Sequence, residues 1–177
     1  MLIKRQRRYT RSGKLEINWK RAIEFVLASE GGLSDDKADS GGLTNKGLTH
    51  TDIDAWNHSH GTSINIRALT TAQAEVIYKS KYWFASGADK LGTGLDAVHF
   101  DTAVNMGLAQ ATICLNRSYN PGWSSRALAF AYLADRSGVY KRIIDAHPKD
   151  EVFRVGWNNR ILALKALVNE LAPAVKA

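Results

Sequence analysis

Chemistry concentrates in one stretch of this sequence, Glu30 to Thr49, which reads E-G-G-L-S-D-D-K-A-D-S-G-G-L-T-N-K-G-L-T. A glutamate stands beside a Gly-Gly pair, three aspartates follow at 35, 36 and 39, and a second Gly-Gly precedes Thr44. Two carboxyl groups and a hydroxyl suit acid–base work, with one acid to protonate a leaving group and the others to orient a water. Glu30 is the candidate acid. It stands where a helix should end, and the negative end of a helix dipole opposes ionisation of a carboxyl. Asp39 comes nine residues later and Thr44 five after that. Glycines at 41, 42 and 47 punctuate the run, so a small hairpin is expected to fold back towards Glu30.

The elements that must hold these groups are mostly helical. Residues Ile17 to Ser29 place Trp19, Ile23, Val26 and Leu27 at helical spacing. Gly31 and Gly32 are expected to stop that helix in a left-handed cap. Thr51 with Asp54, and Thr70 with Gln73, read as capping boxes of two further helices. His58 and His60 lie in the polar run between them and lack the further ligands of a zinc site, so no metal and no cofactor is expected. Tyr82 and Trp83 are candidates for stacking on a sugar face, balanced against burial, whereas Phe84 is expected in the core. Leu95 to Met106 is apolar nearly all round and reads as a buried central helix, with Asp101 and Asn105 on one face. These two either cap neighbouring loops or line a cleft; periodicity favours the first. After Gly107, helices are expected over Ala109–Tyr119, from Ser124 or Ser125 to Arg136, over Val139–His147 beyond Gly138, and from about Asp150 to Glu170.

Several runs resemble glycoside hydrolase family 108, the N-acetylmuramidases of lysozyme-like fold found in bacteria and phages. They are E-G-G at Glu30, the D-x-x-D pair Asp36 and Asp39, and G-G-x-T-x-x-G-L-T from Gly41 to Thr49. Downstream, F-D-T-A-V-N-M-G (Phe100 to Gly107) and G-W-N-N-R (Gly156 to Arg160) resemble its helical carboxyl-terminal region. The chain departs from the family at Leu33, where an aromatic is common, and at Lys37 and Ser40, where prolines are. The order Glu, Asp, Thr also resembles the triad of phage-type lysozymes, with one residue fewer before the threonine. The resemblance implies a mainly α (α+β) lysozyme-like fold with one small β-hairpin beside the active-site helix. It implies Glu30, Asp39 and Thr44 as catalytic residues. Asp36, Thr49, Tyr82, Trp83, Asp101 and Asn105 are the expected substrate contacts, and the substrate implied is peptidoglycan.

Length and composition fit that expectation. The 177 residues, 45% hydrophobic and 23% charged, suit one globule with a sizeable core. The organisation expected is a basic arm over 1–14, a catalytic part over 15–93 and a helical part over 94–177 packed in the same globule. Residues 1 to 21 hold eight Lys/Arg against one Glu, so the net charge of +7 sits entirely there. Such an arm suits contact with an anionic envelope or with nucleic acid. No apolar core follows Lys4–Arg11, so a signal peptide is not expected, and release to the periplasmic wall by another route is. The lone Cys114 excludes an internal disulfide. A monomer without an obligatory protein partner is expected. The competing readings are a lytic transglycosylase, which uses one glutamate and leaves 1,6-anhydro ends, and a non-catalytic module that binds nucleic acid or the envelope. Asp39 and Thr44 favour hydrolysis, because a positioned water needs them.

Overall fold

The computed structural model describes residues 11–34 and 42–174, with the backbone alone at 11, 12, 14 and 15. Asp36 and Asp39 therefore lie outside the described residues. Helix α1 (Arg11–Ser29) buries Trp19, Ala22, Ile23 and Val26 along one stripe, as their spacing dictates. It ends at Glu30, whose amide still donates to the Val26 carbonyl at 3.1 Å. The left-handed cap expected at Gly31 or Gly32 is absent, since neither has a positive φ. The exit is instead drawn out by pairing: Ser34 and Thr44 exchange two backbone hydrogen bonds of 2.9 Å.

Strands β1 (Thr44–Asn45) and β2 (Leu48–Thr49) form the expected antiparallel hairpin. Its two-residue turn places Lys46 at φ 51° and Gly47 at φ 74°. Two successive left-handed residues are the pattern of a type I′ turn, whose twist matches that of the strands. Leu48 is fully buried, and the buried Asn45 Nδ2 donates to the Ile66 carbonyl at 2.8 Å. These two contacts anchor a hairpin too short to stand alone.

Helix α2 (His50–His60) is capped by Thr49, which exchanges two 3.1 Å hydrogen bonds with Asp52. The box expected at Thr51 and Asp54 is thus displaced by two residues, because β2 keeps the chain extended as far as Thr49. Helix α3 (Thr71–Tyr78) takes the expected Thr70–Gln73 box and runs into a π-helical turn, Lys79–Phe84. The wider turn rotates Trp83 into the core and leaves Phe84 53% exposed, against the expectation for Phe84.

Helix α4 (Leu95–Met106) is the central element. Ala97 and Phe100 join the core built on α1, the hairpin, α2 and α3, in which Trp19, Trp83 and Phe100 meet edge-on at 5.4–5.6 Å. Leu95 and Val98 face a second core made with α5 (Leu108–Ser118), α6 (Ser125–Ala146) and α7 (Arg154–Leu171). One helix thus serves both cores. Gly138 does not break α6. Leu133 and Arg136 before it and Val139, Tyr140 and Ile144 after it form one buried face. Their burial outweighs the ~1 kcal/mol that glycine costs within a helix. Helix α7 starts later than expected, after a 3-10 segment opened by Pro148. None of the described helices is long and apolar enough to cross a membrane.

Candidate active site

Glu30 ends the helix whose apolar stripe anchors it, so its backbone is fixed while its side chain, 24% exposed, reaches the surface. The hairpin turn closes over it. A Cβ added at Gly47 would lie 2.6 Å from Glu30 Oε2, 2.8 Å from its Cδ and 2.5 Å from the Tyr78 hydroxyl. Only glycine allows that approach, and glycine also takes the positive φ without strain. Tyr78, fully buried on α3, donates its hydroxyl to the Lys46 carbonyl at 2.9 Å and so ties the turn to the helix floor.

A cluster of buried charge lies on the other side of Glu30. Arg160 of α7 brings Nη2 to 3.7 Å from Glu30 Oε1, an ion-pair distance longer than a hydrogen bond. Its closer partner is Asp101 of α4, to which Nη2 donates at 2.8 Å and Nε at 3.1 and 3.2 Å. Arg136 of α6 donates to the same carboxylate at 2.6 Å. The other N–H groups of Arg136 reach Thr102, Asn105 and Tyr140, which satisfies all five donors of a fully buried guanidinium. Burial of that kind is sustained only when every donor is met.

These surroundings act on the Glu30 carboxyl in opposite directions. Burial, the largest cause, raises its pKa above the ordinary glutamate range; Arg160 pulls it down and Asp101 pushes it up. The balance is upward, which keeps a proton on the carboxyl to higher pH, as a general acid requires.

The other expected site residues are placed as follows. Thr44 lies in β1, paired to both Ser34 and Thr49. Asp36 and Asp39 lie outside the described residues. Thr49 spends its hydroxyl on the α2 cap. Tyr82 is half-buried beside Tyr78, with the Lys81 ammonium 5.0 Å from its ring centroid. Two candidates turn inward, and a third, Asn105, is exposed but spends its side-chain oxygen on the buried cluster. Trp83 is 2% exposed among aromatic rings, Asp101 is 1% exposed with both oxygens held by guanidinium groups, and Asn105 accepts from Arg136 and Tyr140. Trp83 and Asp101 are thus buried, and Asp101 holds the same Arg160 that reaches towards Glu30. Neither residue type nor spacing marks Tyr78, Arg136 or Arg160 for the site, and Gly47 stands out in the sequence as turn punctuation and as part of the Gly41–Thr49 run. Among the described residues, no group of three or more His, Cys, Asp or Glu is arranged to hold a metal.

A mainly helical, lysozyme-like globule with a half-buried glutamate at a helix end and a short hairpin beside it defines the class. Residues 23–107 match the family model described as Glycosyl hydrolase 108, and the chain is a glycoside hydrolase. The solved structure of SagA from Brucella abortus is similar in fold, with a TM-score of 0.68 at 23% identity over 90% of this chain and 98% of that one. Comparison with curated proteins returns no match.

Proposed function

We propose that the chain is an N-acetylmuramidase, hydrolysing the β-1,4 bond between N-acetylmuramic acid and N-acetylglucosamine in peptidoglycan. The observation that carries this reading is the Glu30 carboxyl, half-buried under the Gly47 turn and held towards its protonated form by burial. In this reading Glu30 protonates the glycosidic oxygen. Asp39 and Thr44 hold the attacking water, and Asp36 pins the loop between them. Tyr82 offers a ring to the sugar. Water attack from the far face inverts the anomeric centre, which requires a gap of roughly 6.5–9.5 Å between the two carboxyl groups.

Digestion of purified peptidoglycan followed by mass spectrometry of the new chain ends tests the reaction. Reducing N-acetylmuramic acid ends support it. 1,6-Anhydro ends would make the chain a lytic transglycosylase, and reducing N-acetylglucosamine ends would place the cut at the other bond. Proton NMR of the first-formed product tests the stereochemistry, since an initial β-anomer would show retention and remove the water from Asp39 and Thr44.

The wall is the site of action in this reading, reached after release from the cytoplasm, and the basic arm draws the enzyme to the anionic envelope. Deleting residues 1–10, which hold four Lys/Arg, is expected to weaken sedimentation with intact envelopes at low salt. Screening at high salt should shrink the difference. Equal sedimentation at low salt would remove the arm from the reading.

A further inference from the structure

Two guanidinium groups claim the carboxylate of Asp101, and only one of them also reaches Glu30. Arg136 needs nothing from Glu30, because its five donors are already met. Arg160 stands between two carboxyls and lies much nearer one. It is 2.8 Å from Asp101, through a fork that also engages Nε, and 3.7 Å from Glu30. At 14% side-chain exposure on a long stem, Arg160 has freedom to move that the fully buried Arg136 lacks.

We propose that Asp101 is a positioning residue of the reaction, acting through Arg160. It holds the guanidinium in its fork, so that Arg160 aligns the Glu30 carboxyl from behind without closing into a hydrogen-bonded ion pair. The proposal rests on the reading of Glu30 as the general acid.

A close pair with a guanidinium favours the ionised form of a carboxyl. An arginine free to settle on Glu30 would therefore strip the acid of its proton at neutral pH. A carboxylate that competes for the same guanidinium prevents this, and its own negative charge also disfavours a second negative charge nearby. Among the described residues, the titratable groups facing Glu30 are Arg160 from α7, Asp101 from α4 and Tyr78 from α3. Arg136 and Tyr140 of α6 stand behind Asp101 and face Arg160. The hairpin contributes backbone at Gly47. Arg160 is the one cation among those groups facing Glu30, so its distance sets how much of the effect of burial is offset.

The test is the pH profile of kcat on solubilised peptidoglycan for the full chain and three variants. Glu30→Gln examines the underlying reading, and its retention of activity would end that reading and this one together. Asp101→Asn removes the competing charge and keeps the shape. Its alkaline limb is expected to move to lower pH, with kcat at pH 7 reduced about tenfold or more and recovered on acidification. Asp101→Asn leaves Arg136 without its counter-ion, which endangers folding. The double variant Asp101→Asn/Arg136→Gln therefore removes both charges of the buried pair, which avoids the uncompensated charge that loss of one partner leaves. The same acid-ward shift is expected in it. An inactive Glu30→Gln together with an unmoved or alkaline-shifted limb in the double variant would overturn the role of Asp101 and leave Glu30 in place. A uniform loss of kcat at every pH would do the same, because it would reduce Asp101 to a structural part.

Discussion

Glu30 is held between two walls of opposite construction. On one side stands a hairpin of two-residue strands, anchored by Leu48 and Asn45, which presents a glycine backbone to the carboxyl. On the other stand side chains of three helices, α4, α6 and α7, which present charge. The hairpin acts by shape and sets how closely the chain can approach. The helices act by electrostatics, Arg160 favouring the ionised carboxyl and Asp101 the protonated one. The hairpin wall therefore tolerates no added atom at Gly47, and the helical wall tolerates no lost partner at Asp101. A general acid needs both, since geometry without the right pKa gives no proton and the right pKa without geometry gives no transfer.

Removing the group that the walls share should have the largest effect. Glu30→Gln is expected to lower turnover about 10²–10⁴-fold while circular dichroism stays unchanged. Near-normal turnover would leave the two walls with nothing to serve.

Breaking the helical wall comes next. Arg136→Met leaves the buried Asp101 with Arg160 alone, and urea unfolding is expected to show a loss of about 3–5 kcal/mol. A loss below ~1 kcal/mol would mean that the cluster is not held by charge.

The hairpin wall should respond less in stability and more in activity. Gly47→Ala forces a Cβ against Glu30 and Tyr78 at φ 74°, with an expected cost of about 1–3 kcal/mol and a rate loss beyond what unfolding explains. Gly61→Ala is the matched control, because Gly61 has φ 63° with nothing within 4 Å of an added Cβ. It should cost about 1 kcal/mol, the left-handed strain alone, and leave turnover intact. Equal rate losses in the two variants would show that contact with Glu30 is not what Gly47 provides.

The smallest effect concerns stability against pH. The folded-state pKa of Glu30 lies above its unfolded value, so between the two the native state binds more protons. Its contribution is thus most favourable at acid pH, below the unfolded pKa, and declines as pH rises through the folded one. Glu30→Gln cannot titrate. Its thermal midpoint should match the wild type in acid and exceed it slightly near neutrality. A Gln midpoint that falls below the wild type near neutrality instead would mean that Arg160 outweighs burial at Glu30.

The hairpin wall was legible in the sequence because its determinants are local. Glu30 ends a visible apolar stripe, Gly47 follows it by 17 positions, and turn chemistry is written in adjacent residues. Even there, pairing overrode local signals. Thr49 took the cap that Thr51 seemed to offer, because β2 extended that far, and the Ser34–Thr44 bridge replaced a left-handed glycine cap. The buried helix α4 was equally plain, since an all-round apolar pattern has one physical solution. The continuity of α6 through Gly138 and the outward turn of Phe84 were not, because both depend on which neighbours the helix meets. Least visible was the charge cluster. Asp101 lies 35 residues from Arg136 and 59 from Arg160, and no periodicity links them. The sequence by itself determined which glutamate ends the first helix and that a glycine-punctuated turn follows it. Only the packing of α4 against α6 and α7 decided which cation faces that acid and at what distance, because a guanidinium's partner is chosen by the helices that bury it.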